Sequence, residues 1–523
     1  MSRLPRIIVP LVAVLLAASA LSLVLPGVGA QRAAPGAGPR YVRWDASGAD
    51  DGSSWADAYT DLADALSAAV PGSEIWVATG VYTPGALRAA SFVLPEGVSL
   101  YGGFSGTETG RDQRDWEAHP TVLSGDIGGD DLVDARGVVT VAAHIVGDNA
   151  YHVVSTTGVT ETAVLDGFII TGGQATGASA QNADRGGGTY NFMGGPTVAN
   201  VTFAGNVARL GGGMLTVGAN GMALSNVTFS GNAATDTGGA DPATGGGLAN
   251  QSCTHVTLEG VTFVGNSATA PADRVSRGGG MANLNSPNVT LIDVAFLGNS
   301  VSGSGASHSG GLFIYQSNHV ALTGAIFREN ACIAPEWGFG AGLVVDQSQA
   351  VTVTNALIYA NAAYAAAGVL LSDAATALVN VTVAGNTGSL GPAITLFGGT
   401  VAMTNGIVWG HSNPAGAIDN QGYVSVSHSI VEAGCPVLGG GASYCVETLN
   451  SDPRFVDAAR GDLHLGEDSP AIDAGDNAAV TVTTDLDGNR RIVDGDGDEI
   501  TTVDMGGYEW MPTYRVYLPL ALR

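Results

Sequence analysis

The amino-acid sequence predicts an all-β fold, a solenoid of parallel coils, and three observations lead to this prediction. A short motif returns nine times, apolar and polar residues alternate around it, and Gly and Asn recur at fixed places within it. The 523 residues include 77 glycines; 45% are hydrophobic and 13% are charged. This composition is typical of short apolar strands separated by many turns, not of a disordered glycine-rich chain.

The nine copies of the motif all begin with a residue type that tolerates a left-handed backbone. They read "DGFIITGG", "NVTFAGN", "NVTFSGN", "GVTFVGN", "DVAFLGN", "GAIFREN", "NALIYAN", "NVTVAGN" and "NGIVWGH". Their first residues are Asp166, Asn200, Asn226, Gly260, Asp293, Gly324, Asn355, Asn380 and Asn405. Because Asn, Asp and Gly most readily adopt positive φ, we expect a sharp bend at each of these positions.

Apolar and polar residues alternate on both sides of the bend. In "MALSNVTF", Met222 and Leu224 precede the bend, and Val227 and Phe229 follow it. A period of two predicts strands with one buried face. Six residues beyond the bend lies a second position, where stacked Asn side chains can pass amide hydrogen bonds from coil to coil. This predicted structural ladder consists of Asn206, Asn232, Asn266, Asn299, Asn330, Asn361 and Asn386, with Gly172 before it and His411 after it.

Successive copies begin 25 to 34 residues apart, and the variation lies in a loop after the second position. Each coil buries its apolar face only by stacking on its neighbours, so the loops stack as well and form one lateral ridge. A β-sandwich or propeller is the alternative, but hairpin turns would not repeat a single bend. The ridge carries the candidate ligand-binding residues Asp241, Asp273, Arg274, Arg277, His308 and Trp337, a mixture suited to a glycan or peptide. A solvated loop face without a ligand is the alternative interpretation.

The first 30 residues are typical of a secretory signal. Arg3 and Arg6 precede an apolar run over 7–25, and Ala30 ends a small-residue cleavage site. An uncleaved membrane anchor is the alternative, and either interpretation predicts a secreted or cell-surface protein. Residues 31–40 are predicted to be a spacer, and no later segment is long and apolar enough to span a bilayer as a helix.

The charge of the chain excludes several classes of function. Its formal net charge of −27 disfavours binding to nucleic acid and to anionic membranes. All 20 basic residues are arginines, which excludes Schiff-base chemistry and a lysine general base.

Residues 41–90 are predicted to contain an N-terminal cap and the first strands. The segment "SWADAYTDLADALSAAV" places Leu62, Ala65, Leu66, Ala69 and Val70 on one face of a helix, with Ser53 or Ser54 as its N-cap. Such a helix would protect the exposed edge of the first coil from aggregation.

Three groups of residues resemble known bacterial surface proteins. The runs "FAGNVARLGGGM" and "FVGN" followed by "GGGM" resemble the repeats of polymorphic outer-membrane-type β-helices. The stretch from Tyr41 resembles the N-terminal segment of secreted pectin-lyase-like proteins, and "SDPRFVD", "DSPAIDAGDN" and "VDMGGYE" are similar to the choice-of-anchor Q domain. The resemblance implies a right-handed parallel β-helix over 91–411 and a choice-of-anchor Q-like region over 412–511. The tail over 512–523 departs from the family pattern, and we expect either a sorting or attachment tail or a final edge strand there. The resemblance also implies a location at the cell surface, in families that mostly lack an assigned activity.

Pectin-lyase-like folds include polysaccharide lyases and glycoside hydrolases, so a sugar-cleaving site is one hypothesis. A hydrolase needs two carboxylates at a defined separation, and a lyase needs calcium-holding carboxylates beside a base. Neither arrangement is present as a recognisable motif. We therefore expect a non-catalytic adhesin-like or structural envelope component that binds extracellular polysaccharide or another cell-surface component. The enzyme is the alternative, and the sequence leaves the oligomeric state open.

The acidic C-terminal segment is the predicted metal site. Asp485, Asp487, Asp494, Asp496, Asp498 and Asp504 alternate with glycines, and hard oxygen ligands on a flexible turn suit Ca²⁺. An acidic turn held by Arg490 and Arg491 is the alternative interpretation. The segment with Asp126, Asp130 and Asp131 is a second candidate calcium loop.

Four cysteines are expected to face an oxidising compartment. Cys435 and Cys445 bracket nine residues, a loop that a disulfide can close, whereas Cys253 and Cys332 lie on different parts of their repeats.

Overall fold

Parallel strands stacked coil upon coil make up most of the protein, whose structure is a computed structural model. The structure describes residues 38–511 except 237, 239–241, 272–273, 304, 306, 335–337, 391, 412–416 and 437–438. Neighbouring strands of the coils pair in parallel, with each residue opposite its equivalent in the next repeat. The prediction of an all-β parallel β-helix is therefore confirmed.

The strands form three long stacks, a small stack on the loops and a hairpin. The strands on either side of the bend are Arg40–Val42, Glu74–Ala78, Gly80–Tyr82, Ser99–Phe104, Thr121–Ser124, Val164–Asp166, Ile169–Thr171, Thr197–Ala204, Ala223–Ser230, Thr257–Glu259, Thr262–Val264, Val289–Ile292, Ala295–Leu297, Val320–Arg328, Val351–Tyr359, Val369–Ala384, Ile394–Thr404, Ile407–Trp409, Tyr423–Val431 and Ala442–Leu449. The front sheet, which follows the small-residue stretch, contains Phe92–Val93, Val154–Thr157, Thr189–Phe192, Met214–Val217, Leu248–Gln251, Met281–Leu284, Leu312–Tyr315, Leu343–Asp346 and Ile418–Asn420, and it continues into the first residues of Val369–Ala384 and Ile394–Thr404.

The remaining strands are short. A stack after the second Asn position contains Gln174–Ala175, Val207–Ala208, Ala233–Thr235, Ser267–Thr269, Ser300–Ser302, Ala331–Ile333, Ala362–Ala363 and Thr387–Gly388. The loop sheet contains Ala243–Thr244, Ser276–Arg277, Ser307–His308 and Gly338–Phe339. Phe455–Asp457 and Asp462–Leu465 pair antiparallel in a hairpin. The described helices are the α-helix Leu62–Ala68 and the 3₁₀ turns Arg111–Gln113, Ala142–His144, Ser179–Gln181, Ala458–Arg460 and Asn477–Ala479.

The predicted bends have left-handed backbones. The φ angles of Asn200, Asn226 and Asn380 are 52°, 51° and 52°, values that cost less for Asn, Asp and Gly than for other residues. The first copy is an exception, because the bend lies at Gly167 (φ 85°) and not at Asp166. The register pairs Ala199 with Asp166, which places Gly167 opposite Asn200. Our alignment of that copy was therefore wrong by one residue, and its second position is Gly173 instead of Gly172.

The seven predicted ladder asparagines lie in one buried column. Asn232 Nδ2 donates to Asn266 Oδ1 at 2.9 Å and to the carbonyl of Phe203 at 2.9 Å, and its backbone N–H donates to the same Oδ1 at 3.1 Å. This pattern repeats from Asn206 to the Asn386 acceptor. At the end of the column the backbone N–H of Asn386 lies 3.3 Å from His411 Nδ1.

A stack of phenylalanines accompanies the ladder inside the coils. Phe229 and Phe263 lie parallel with their ring centroids 4.9 Å apart, and Phe263 and Phe296 lie 4.7 Å apart. The stack is buried completely. Equivalent residues of successive coils therefore contact each other, as the period-two pattern predicts.

The N-terminal cap differs from the predicted one. The helix spans only Leu62–Ala68, and its N-cap is Asp61, whose side chain accepts from Ala63 N–H at 2.7 Å. Ser54 instead bonds Asp57 at 2.9 Å in an earlier turn. The helix begins late because Tyr59 pairs with Val42 in an extended conformation. Leu62, Ala65 and Leu66 are buried as predicted, Ala69 is half-buried, and Val70 is exposed.

The parallel coils extend beyond the predicted boundaries at residues 91 and 411. Arg40–Val42 already pairs in parallel with Glu74–Ala78, and Tyr423–Val431 pairs in parallel with Ala442–Leu449. The chain after Asn450 then returns along the side of the coils.

The returning C-terminal segment binds the outer bend column. Arg491 Nη2 donates to Asn355 Oδ1 at 2.6 Å, Asn380 Nδ2 donates to the Asp504 carbonyl at 3.2 Å, and Asp476 N–H donates to Asn405 Oδ1 at 2.7 Å. The bend residues Asn355, Asn380 and Asn405 are therefore buried, and the C-terminal segment is an integral part of the solenoid wall.

The structure joins Cys435 to Cys445 in a disulfide near the last coil. Cys253 and Cys332 are buried free thiols, and burial raises the pKa of Cys332 to about 12. Within the described part of the chain, no helix is both long enough and apolar enough to cross a membrane.

Candidate functional site

The outer face of the front sheet carries aromatic side chains, among them Phe313, which is buried (2% exposed), and Tyr315, which is half-buried. In Leu312–Tyr315, Leu312 and Ile314 point into the core, so Phe313 and Tyr315 point outward. In the next strand, Tyr315 pairs with Asp346. Alternation along the strand therefore places two aromatic rings and a carboxyl group on one outward face.

The loop sheet brings polar side chains to these rings. Arg277 pairs with His308, and His308 pairs with Phe339. The Arg277 guanidinium carbon lies 5.4 Å from the Phe313 ring centre and 5.8 Å from that of Tyr315. The His308 ring lies 6.0 Å from both Phe313 and Phe339. We call this set of residues the flank patch: Arg277, His308, Phe313, Tyr315, Phe339 and Asp346.

Burial controls the charges of the flank patch. It lowers the pKa of Arg277, and it lowers the pKa of His308 to about 4, an effect to which the Arg277 charge adds. His308 is therefore neutral at pH 7. Burial also raises the pKa of Asp346, against a hydrogen bond from Ser372 and the charge of Arg277.

Two polar atoms of the flank patch have no hydrogen-bond partner among the described residues. They are Arg277 Nε and His308 Nδ1, and both are buried from solvent. A buried polar group without a partner costs roughly 1–3 kcal/mol. The flank patch therefore contains two polar atoms that no described residue satisfies.

The structure brings two of the six predicted ligand-binding residues together, Arg277 and His308. Arg274 Nε instead forms an ion pair with Asp236 at 2.7 Å, in which the Asp236 side chain is fully buried. The predicted residues Asp241, Asp273 and Trp337 lie outside the described residues.

Sequence reasoning missed four residues of the flank patch: Phe313, Tyr315, Phe339 and Asp346. The signal was present in "GGLFIYQ", where Phe313 and Tyr315 occupy the alternate positions of a strand. The predicted ligand-binding residues lie on the loops, whereas Phe313, Tyr315 and Asp346 lie on the strands next to them.

The six aspartates of the predicted calcium site do not converge on one point. Asp485 accepts three backbone N–H groups, and Asp487 Oδ2 lies 2.7 Å from His464 Nε2. Both oxygens of Asp504 accept backbone N–H groups. Asp498 caps its own turn through the Ile500 N–H at 2.7 Å. A common site for all six is therefore wrong, because only Asp494 and Asp496 of this set have carboxylate oxygens that share one cluster.

Asp494 and Asp496 do come together, but with a residue that we had not predicted. Ligand atoms of Asp473, Asp494 and Asp496 lie within 4.8 Å of one another. Asp473 Oδ2 accepts the N–H groups of Gly495 and Asp496 at 2.8 and 2.6 Å. Burial raises the pKa of Asp473, and the nearby Asp496 and Asp494 add to the effect.

The second acidic segment also forms a cluster. Ligand atoms of Asp126, Asp130 and Asp131 lie within 4.8 Å of one another. The carboxylate of Asp131 accepts hydrogen bonds from the Val146 N–H at 2.6 Å and from Asn149 Nδ2 at 2.7 Å.

Arg491 and Glu509 form a buried ion pair at 3.1 Å behind the acidic turn. This pair is adjacent to Asp504, whose pKa is raised to about 8 by burial and by the charge of Glu509. The side chain of Arg491 bonds Glu509, Asn355 and two backbone carbonyls, so the interpretation of an acidic turn held by Arg490 and Arg491 stays a prediction.

The stacked parallel coils and their outward loop ridge define the class of parallel β-helix proteins. Within that class, the chain belongs to the family described as "Right handed beta helix region", which matches residues 146–413. The coils are therefore right-handed. No curated protein matches the chain.

The solved structures that are similar to the chain include the following three. A polygalacturonase from Erwinia carotovora ssp. carotovora is 12% identical over 81% of this chain and 99% of its own, with a TM-score of 0.29. Pectate lyase Pel9A is 11% identical over 91% and 98%, with a TM-score of 0.40. PfbA, a surface adhesin of Streptococcus pneumoniae, is 14% identical over 70% and 85%, with a TM-score of 0.27. At these values the similarities carry no argument about function.

Proposed function

We propose that the protein is exported to the cell surface and binds extracellular polysaccharide, without cleaving it, through the flank patch. The observation that carries the proposal is the Arg277 guanidinium, which is held against two aromatic rings and keeps its Nε unpartnered among the described residues.

The chemistry of the flank patch suits a sugar chain. Aromatic rings such as Tyr315 cover the apolar faces of sugar rings, while Arg277 and neutral His308 exchange hydrogen bonds with hydroxyl or carboxylate oxygens. The same outward strand position recurs in neighbouring coils about 4.8 Å apart, so an extended chain can contact several coils.

Glycan arrays test the proposal. We expect wild-type protein to bind at least one surface polysaccharide, and Tyr315→Ala to weaken that binding about tenfold, which is 1.4 kcal/mol. Tyr444→Ala is the matched control, because Tyr444 is exposed on the last coil. A wild-type protein that binds no polysaccharide contradicts the proposal.

Catalysis along the same flank, by a polysaccharide lyase or glycoside hydrolase, is the second candidate function. It is favoured by Asp346, a carboxyl group of raised pKa within the electrostatic range of Arg277. Incubation with uronic-acid and neutral polysaccharides, with and without Ca²⁺, distinguishes the two functions. Unsaturated or reducing ends that disappear in Asp346→Asn favour the enzyme, and their absence from the wild-type reaction favours the binding protein.

We also infer that residues 1–30 direct export and that residues 412–511, with the tail 512–523, act as a choice-of-anchor Q-like attachment region. The support is the sequence pattern of these segments. Fractionation of cells that express the full chain, or a chain truncated after Trp510, tests this inference. We expect the full chain at the cell surface and the truncated chain in the medium, and a truncated chain that stays attached contradicts the role of the tail.

A further inference from the structure

A second polar cleft lies near the N-terminal coils, apart from the flank patch. It is lined by Arg111, Asp112, Arg114 and Trp116, and its volume is about 430 Å³. That volume falls within the range of small-molecule sites. The loop that forms it packs directly on a strand, because Gly103 (φ 91°) leaves room for the Trp116 backbone and its carbonyl accepts the Asp115 N–H at 2.8 Å.

Arg111 is fixed in place with hydrogen-bond donors to spare. Its Nη1 donates to Glu74 Oε1 at 2.5 Å and to the Tyr101 hydroxyl at 2.8 Å, and the guanidinium lies 4.6 Å from the Tyr101 ring centre. Its Nη2 and Nε have no partner among the described residues, and 37% of the side chain is exposed. The cleft therefore contains donors that need not be reoriented to bind a ligand.

Arg114 supports the aromatic wall of the cleft. Its Nη2 donates to Asp166 Oδ2 at 2.6 Å, and its Nη1 donates to the Asp166 and Gly102 carbonyls. Its guanidinium carbon lies 5.0 Å from the Trp116 ring centre. The half-buried indole is thus stabilised by a side chain that is itself 10% exposed.

The charge balance of the cleft selects among ligands. Glu74 faces Arg111 and Asp166 faces Arg114, and the exposed Asp112 adds a further carboxylate. The cleft therefore has no surplus positive charge, so phosphate or another strong anion gains little here. The cleft contains free hydrogen-bond donors, a carboxylate acceptor and an aromatic wall. Sugar hydroxyls both donate and accept hydrogen bonds, and the C–H face of a sugar ring packs on an aromatic ring.

We propose that this cleft binds one unit of a neutral saccharide. Arg111 donates to its hydroxyl oxygens, Asp112 accepts from a hydroxyl, and Trp116 covers the apolar face of the ring. The site shares no residue with the flank patch, so the protein has two separate sugar-contacting surfaces.

Titration calorimetry with methyl glucoside, methyl galactoside and N-acetylglucosamine tests the proposal, with glucuronate as the anionic probe. We expect at least one neutral sugar to bind with a Kd on the order of 1 mM, and Trp116→Ala to weaken binding about tenfold. Asp112→Ala leaves both arginine ion pairs intact and should also weaken sugar binding. This variant therefore tests the proposal even if Trp116→Ala unfolds the loop.

Two controls separate this site from the flank patch. Trp44→Ala removes an exposed indole outside the cleft and should leave the Kd unchanged, as should Tyr315→Ala. The proposal is overturned if no neutral sugar binds, if glucuronate binds more tightly than every neutral sugar, or if both cleft variants bind as wild type. Its failure leaves polysaccharide binding at the flank patch untouched, and loss of binding in Tyr315→Ala alone would assign the sugar to that patch.

Discussion

The coils contain two columns of asparagines, one inside and one at the outer bend, and the columns use the same side chain differently. The inner residues, such as Asn266, are fully buried and bond to each other in a continuous amide ladder. At the bend, Asn226 is exposed and donates to Asn200 at 2.7 Å, whereas Asn380 and Asn405 are buried beneath the C-terminal segment. In the inner column the side-chain amide is required, because it forms the ladder of hydrogen bonds. At the bend the left-handed backbone conformation is required, and the side-chain amide is available to bind the returning C-terminal segment.

The largest effect is expected in the inner ladder. Asn266→Ala removes the acceptor of two Asn232 donors and the donors to Asn299 and Phe229. With several buried polar groups left unsatisfied, we expect a loss of roughly 3–5 kcal/mol in the free energy of unfolding.

Urea unfolding measures this loss, and the matched control at the bend is Asn226→Gly. Glycine keeps the left-handed backbone of that exposed position, so we expect a change below about 1 kcal/mol. Equal losses in the two variants would contradict the distinction between the columns.

The covered part of the bend column should show an intermediate effect. Asn405→Gly keeps the left-handed bend but removes both bonds to Asp476, at 2.7 and 3.1 Å. We expect a loss of about 2 kcal/mol, carried mainly by the C-terminal segment. Hydrogen exchange should be faster over residues 472–480 than in wild type, while the amides of the inner ladder keep their protection. Faster exchange along all the coils would contradict this prediction.

Next is a pH effect in the same segment. The folded pKa of Asp504, about 8, lies above the ordinary value of 3.8, so the folded state holds a proton that the unfolded state releases. This contribution to stability is fully present below pH 4 and is lost as the pH rises towards 8. We expect the melting temperature of wild type to fall between pH 6.5 and 8.5 more steeply than that of Asp504→Asn. Parallel melting curves for the two proteins would contradict the assignment.

The smallest expected effect concerns calcium. We predict that Ca²⁺ raises the melting temperature by about 2 °C through Asp473, Asp494 and Asp496. Asp473→Asn should abolish the shift, whereas Asp498→Asn should keep it, because Asp498 lies outside the cluster and caps its own turn. If a chelator leaves the melting temperature unchanged, the prediction of a calcium site at this cluster is contradicted.

The coils were predictable from the sequence because each constraint repeats. The bend needs Asn, Asp or Gly, the ladder needs Asn, and both requirements return at the same spacing, so local patterns suffice to align the coils. The one misaligned copy, "DGFIITGG", carries two adjacent residues that both suit a bend, and only the strand register decides between Asp166 and Gly167.

The candidate sites were harder to predict because they depend on contacts between distant segments. Asp473 lies about twenty residues before Asp494, and only the packing of the returning segment brings them together. Likewise, Arg277 and Phe313 belong to different sheets of successive coils. The adjacency of Arg277 and His308 was predictable from the sequence, because the loops stack in a regular order.

The most direct test of the proposed function compares wild type, Arg277→Gln and Arg460→Gln in one binding measurement on the polysaccharide that wild type prefers. Arg460 is a highly exposed arginine of the C-terminal segment, so its replacement removes the same charge away from the flank patch. The account predicts that Arg277→Gln binds at least about tenfold more weakly while Arg460→Gln binds as wild type. Equal affinity of Arg277→Gln and wild type would contradict it.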